Sequence, residues 1–138
     1  MPSESTDEPI SAVNAWVRAF NARDRELVVA QYAPGAVLWG TFANELIGTR
    51  QGLVEYFDRA FESQPGPTVE LLYVSVQEFG GFAVASGAYL LCFGVNGQLQ
   101  SMPARFTFAL ANTLSQWLIV THHSSVMPES PVRKATER

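Results

Sequence analysis

From Thr68 to Ser125 the chain shows strand-like segments separated by short turns, and little else fits there. Thr68 to Phe79 is rich in β-branched and aromatic residues and ends at Gly80-Gly81. Phe82 to Phe93 follows and ends near Asn96-Gly97. Asn-Gly accepts positive φ at both central positions, which a tight hairpin of the correct twist demands. Leu99 to Leu110 comes next, then a connection near Ala111 to Ser115, then Gln116 to Ser125. Long strands joined by connections this short are expected to form an antiparallel meander.

The first half has the other periodicity. Ile10, Val13, Trp16, Val17 and Phe20 recur at helical spacing, with Thr6 or Asp7 as candidate caps and Pro9 at an early helical position. Asp24 is placed to cap a second, shorter helix containing Leu27, Val28 and Tyr32, ended by Pro34-Gly35. Ala36 to Gly40 reads as a short strand. Thr49 is the expected cap of a third helix with Leu53 and Phe57 on one face, and residues 64–67, QPGP, stop it. Helices first and a meander after predict one α+β domain over residues 10–128, with three helices on one sheet face. Residues 1–9 are expected to be a flexible lead-in and 129–138 a flexible tail.

Strand alternation carries a second message. Val69, Leu71 and Tyr73 oppose Leu72, Val74 and Val76; Tyr89, Leu91 and Phe93 oppose Val84, Ala88 and Leu90. Both faces are apolar, and helices cover only one. A chain that is 47% hydrophobic and 16% charged has few residues to solvate the other face. A homodimer through the outer sheet face is therefore expected, the alternative being a sheet that curls over its own face. A formal charge of −4 with no basic cluster before Arg133 and Lys134 argues against nucleic acid as a partner. No apolar run approaches the length that spans a membrane. One cysteine, Cys92, and a polar, acidic start fit a cytoplasmic protein without disulfides.

Candidate chemistry gathers in the last hairpin, SMPARFTFALANTLSQWLIVTHHSSVMP. Pairing across Thr113 sets Arg105 opposite Thr121. Alternation then puts Arg105, Thr107, Trp117, Ile119, Thr121 and His123 on one face, and Phe106, Phe108, Leu118, Val120 and His122 on the other. A guanidinium in an apolar strand needs a partner or a wet cavity. Arg105 is thus either a ligand anchor that grips a carboxylate or carbonyl, a structural ion pair with Glu70 or Glu78, or an exposed strand end. His123, on the same face, is the candidate acid, base or hydrogen-bond donor. Adjacent strand residues point apart, so His122 and His123 do not share one ion, and no metal or cofactor site is expected. Trp16, Trp39, Tyr56, Tyr89 and Trp117 are candidate pocket walls.

The order of elements, together with Arg105-Phe-Thr-Phe, then Trp117 through His122-His123-Ser124-Ser125, then Met127-Pro128, resembles the nuclear transport factor 2-like superfamily. Within it the chain is similar to SnoaL-like (SgcJ/EcaC) proteins and to the association domain of calcium/calmodulin-dependent protein kinase II. The resemblance implies a cone-shaped, curved antiparallel sheet with three N-terminal helices on its concave face, the cystatin-like α+β barrel, a deep pocket between them, and dimers through the outer sheet face. It implies that Arg105 matches one pocket arginine of the association domain, whose other arginine positions fall near Leu53 and Leu91. Isomerases and cyclases of the superfamily carry an Asp base where this chain has Trp39 or Gly40. Three functions stay open on this reading. One is a small-molecule-binding dimer with Arg105 anchoring a small apolar or carboxylate-bearing ligand beside His123. Another is an isomerase, cyclase or hydratase using His123 as the catalytic group. The third is a pure self-association module.

Overall fold

The computed structural model describes residues 8–129. The expectations for Thr6, Asp7 and the rest of 1–7, and for 130–138, lie outside the described residues.

Helix α1 (Ile10–Asn21) buries Ala12, Val13, Trp16, Ala19 and Phe20, one stripe of its surface. Pro9 sits at its N-cap position. Helix α2 (Arg25–Val29) starts where Asp24 accepts a hydrogen bond from the Leu27 amide at 3.1 Å. Helix α3 (Arg50–Ala60) starts where Thr49 accepts from the Gly52 amide at 3.0 Å. Each cap satisfies an amide that has no partner within its helix. Strands β1 (Tyr32–Trp39), β2 (Thr68–Phe79), β3 (Phe82–Val95), β4 (Gln98–Thr113) and β5 (Gln116–Val126) complete the chain.

The five strands form one sheet in the order β1-β5-β4-β3-β2. The meander β2–β5 is antiparallel, and β1 adds itself parallel to β5 at the edge. Tyr32 belongs to this strand rather than to α2: α2 stops at Val29, and the Gln31 carbonyl accepts from the Ile119 amide at 2.8 Å. Pro34 and Gly35 lie inside β1, where pairing is irregular between Tyr32 and Val37. An edge strand tolerates the missing donor of proline there.

Bulges set the curvature and the faces. On β2, Leu72 has no partner between the Leu71–Tyr89 and Tyr73–Ala88 pairs. Val69, Leu71, Val74 and Val76 therefore share the helix side, while Tyr73 turns outward. On β5, Val120 is the extra residue. The core lies between the helices and the inward residues of the sheet, including Val13, Trp16, Phe57, Phe106, Phe108 and Ile119. Two hairpin turns carry positive φ where expected, at Gly80 and at Asn96-Gly97, and the third uses Leu114 and Ser115 at φ 52° and 64°. No helix of the described residues is long and apolar enough to cross a membrane.

Candidate functional site

A chain of hydrogen bonds crosses the space between the helices and the sheet. The Trp16 indole of α1 donates to the Tyr32 hydroxyl at the start of β1, at 3.1 Å. Tyr32 lies 2.8 Å from His122 Nδ1 on β5, and His122 Nε2 lies 3.3 Å from the Tyr89 hydroxyl on β3. Tyr89 donates to Ser124 Oγ at 2.7 Å, and Ser124 meets Thr41 Oγ1 at 2.5 Å. Aromatic rings wall the chain: Trp16 stacks on Tyr89 within 10° of parallel, Tyr89 stacks on Phe106, and the Phe108 ring meets the His122 ring edge-on. Among the described residues no buried side-chain nitrogen or oxygen lacks a partner.

Burial decides the charge state of this cluster. It pushes His122 down to about 3, with a smaller contribution from neighbouring His123, so the imidazole is neutral at physiological pH. It raises the Tyr32 and Tyr89 hydroxyls above their ordinary value of 10.0. Tyr56 on α3 is raised for the same reason, although its oxygen accepts from the backbone at Phe42 and Thr41. Tyr56 comes this close because residue 40 is glycine: a β-carbon there would lie 2.4 Å from the Tyr56 hydroxyl.

The enclosed space beside the chain holds about 30 Å³, room for a single water. It is lined by Trp16, Tyr56, Tyr89, His122, Ser124 and apolar neighbours, with no Asp, Glu, Lys or Arg. It ends at Thr41, Phe42, Tyr56 and Ala60, which also line a much larger open groove of about 1090 Å³. The groove lies between residues 41–49, α3 and the end of β3. Its lining is mixed: Phe42, Leu46, Ile47 and Phe93 beside Glu45, Glu55 and Arg59.

The expected site residues are divided between two faces. Trp16, Tyr56 and Tyr89 surround the enclosed space. Trp117 is buried in the core and lines neither cavity. Arg105 and His123 do lie together, but on the sheet face away from the helices, in a shallow groove of about 470 Å³ with Tyr73, Ser86, Thr107 and Ser125. Trp39 is paired in register with His123 and is 43% exposed. Two features of the last hairpin explain the difference. Its turn is centred on Leu114-Ser115 and Val120 adds one residue to β5, so Arg105 pairs with Ser125 and not with Thr121. The Val120 bulge then reverses alternation along β5, putting Trp117 and Ile119 on the same side as His122 and Ser124. Arg105 donates to Ser125 Oγ at 3.2 Å, and among the described residues neither Glu70 nor Glu78 forms an ion pair with it. His122, Tyr32, Ser124 and Thr41 were not among the expected site residues. The signal for them was present in part, as a polar His-x-Ser pair in a strand whose other inward residues are apolar.

The profile of the SnoaL-like domain matches residues 10–129. The chain belongs to the SnoaL-like family. This SnoaL-like domain superposes on a protein of Xanthomonas campestris assigned as a calcium/calmodulin-dependent protein kinase II association domain. The two are 29% identical with a TM-score of 0.80, and 94% of each chain is covered. It also superposes on a ketosteroid isomerase-like protein of Erwinia carotovora atroseptica at 21% identity and TM-score 0.74, over 94% of this chain and 100% of that one. The kinase hub of S. rosetta matches at 15% identity and TM-score 0.77, over 92% and 100%. These last two likenesses speak for the fold alone. No match is found among curated proteins. The cystatin-like architecture that the family resemblance implied is thus the fold of this SnoaL-like domain. The position where isomerase-like relatives were expected to carry an Asp is here Trp39, facing outward, and Gly40, backing Tyr56.

Proposed function

We propose that this domain binds a small, partly apolar molecule in the groove between residues 41–49, α3 and the end of β3. The observation that carries the reading is the groove itself. Its volume suits a small organic ligand, its walls combine apolar and polar groups, and it opens onto a buried hydrogen-bonded interior. At the enclosed end, proton abstraction is disfavoured because the lining there holds no carboxylate and its one imidazole has a pKa of about 3, too weak a base near neutral pH. Isomerase-like and dehydratase names among structural relatives keep an enzymatic reading in view, but His123 faces away from this interior.

The outer face supports two further parts of the proposal. Tyr73, Phe79, Phe82 and Trp39 are large, exposed residues on that side of the sheet, which supports a homodimer through it. Hub-like relatives are consistent with self-association. Arg105 with His123, Ser86, Thr107 and Ser125 would then form a carboxylate-binding patch on that face, a second reading carried by a guanidinium that has no acidic partner among the described residues.

Titrating the full chain with acetophenone and following backbone amides by NMR tests the main proposal. Shifts should cluster at residues 41–49, on α3 and at 91–95, and Ala60→Phe should remove them by filling the groove. Absence of binding, or shifts confined to the Arg105 face, would refute it.

A further inference from the structure

The hydrogen-bond chain has a direction, and the direction is set at its buried end. An indole N–H only donates, so the Tyr32 oxygen must accept from Trp16 at 3.1 Å. Tyr32 has one hydrogen left, and its other partner is His122 Nδ1 at 2.8 Å. Nδ1 is then the acceptor nitrogen, and a neutral ring carries its hydrogen on Nε2. Nε2–H points at the Tyr89 oxygen at 3.3 Å, which leaves the Tyr89 hydrogen for Ser124 at 2.7 Å. Ser124 accepts from Tyr89 and is buried, and its other side-chain partner among the described residues is Thr41 Oγ1; donating there keeps its hydrogen from being stranded. The last hydrogen in the series, on Thr41, has no place within the chain, and Thr41 lines the groove.

The reverse order fails at its first step. If Nδ1 carried the hydrogen, the Tyr32 oxygen would accept from both Trp16 and His122. Its own hydrogen would then be stranded in a fully buried site, a costly arrangement. Burial also keeps the ring from taking a second proton near neutral pH, so the order persists there. Tyr56 adds to the same outcome. Its oxygen already accepts from the backbone at Thr41 and Phe42, which leaves that hydroxyl to donate, and it lines the groove as well.

We propose that Thr41, supported by Tyr56, presents a hydrogen-bond donor to the groove, and that the ligand recognised there carries a neutral acceptor oxygen such as a ketone, ester or amide carbonyl. The inference rests on the groove being the binding site. Trp16 and His122 act through the series and touch no ligand; they are positioning residues. The charged residues of the groove, Glu45, Glu55 and Arg59, come from the 41–49 segment and α3, whereas the Thr41 end borders an interior without charge. A carbonyl inserted at that end completes the series without bringing a charge into it.

Two measurements test this on the full chain. Nitrogen NMR of histidine-labelled protein, with no ligand present, should find His122 with its hydrogen on Nε2; a hydrogen on Nδ1 overturns the inference. Acetophenone and α-methylstyrene have nearly the same shape and differ in one acceptor oxygen. Acetophenone should bind about fivefold more tightly, the worth of one net hydrogen bond. Thr41→Val, which keeps the shape and removes the hydroxyl, should abolish most of that preference. Equal binding of the two probes to the unaltered protein overturns the inference and leaves the groove as a binding site. Binding of neither overturns both.

Discussion

Acid should unfold this protein partly through one residue, His122. In the unfolded chain its imidazole takes a proton near the ordinary value of 6.5, and in the folded protein burial among aromatic rings holds the pKa down to about 3. Between these values the unfolded state binds a proton that the native state refuses. Stability is therefore fully present above about pH 6.5 and falls as pH drops towards 3, by about 1.4 kcal/mol per pH unit. At about pH 4.5 the loss is about 3 kcal/mol, a large share of the ~5–15 kcal/mol that holds a typical domain together. His122→Gln isolates the effect, because a glutamine amide still offers a donor and an acceptor to Tyr32 and Tyr89 and does not titrate. Urea midpoints measured from about pH 7 to about pH 4.5 should show the variant less stable than the wild type at neutral pH. The gap should narrow or reverse with acid. Carboxylates titrate alike in both proteins and cancel in the difference. Curves that stay parallel over this range would refute the claim that His122 is buried and neutral.

Gly40→Ala should lower stability by about 1–3 kcal/mol, because the added methyl meets the Tyr56 ring and hydroxyl; a thermal midpoint unchanged from wild type would show that Tyr56 does not cover Gly40. Replacing Leu114-Ser115 by Asn-Gly should stabilise the last hairpin by about 1–2 kcal/mol, since both positions hold positive φ and Leu114 is fully exposed; chemical denaturation without a gain would count against strain at this turn. Val84→Asp places a charge on the outer sheet face, opposite Gln77 and Ala109, and should convert the proposed dimer to monomers in sedimentation; a monomeric unaltered protein would refute the dimer, and dimers that persist in the variant would refute this face as its interface.

Much of the fold was legible because local chemistry and tertiary structure agree. Asp24 and Thr49 cap their helices, and Asn96-Gly97 turns its hairpin, by mechanisms that operate within a few residues. The site was less legible because it depends on single residues inserted into strands. Nothing in the stretch Trp117 to Ser125 marks Val120 as a bulge, yet that residue decides which of His122 and His123 faces the interior. The Leu114-Ser115 turn hides in the same way, since neither residue favours positive φ on its own. Tyr32 looks like part of α2 in the sequence because Pro34-Gly35 resembles a helix stop. The competing pairing that claims it lies on β5, far along the chain.

That distance has a kinetic consequence. Strands β2 to β5 meet through adjacent hairpins, whereas β1 must find β5 across most of the sequence, and the bond between Tyr32 and His122 spans 90 residues. Closing a loop of that size carries its entropy cost before any contact repays it. The meander is expected to assemble first and β1 to dock last, with β1 amides exchanging with solvent before those of β3 and β4. Tyr32 joins the interior only at that final step. Under the proposed function, the hydrogen-bond series that ends at Thr41 would then be completed late in folding and lost early in unfolding, making groove occupancy a sensor of whether β1 has docked.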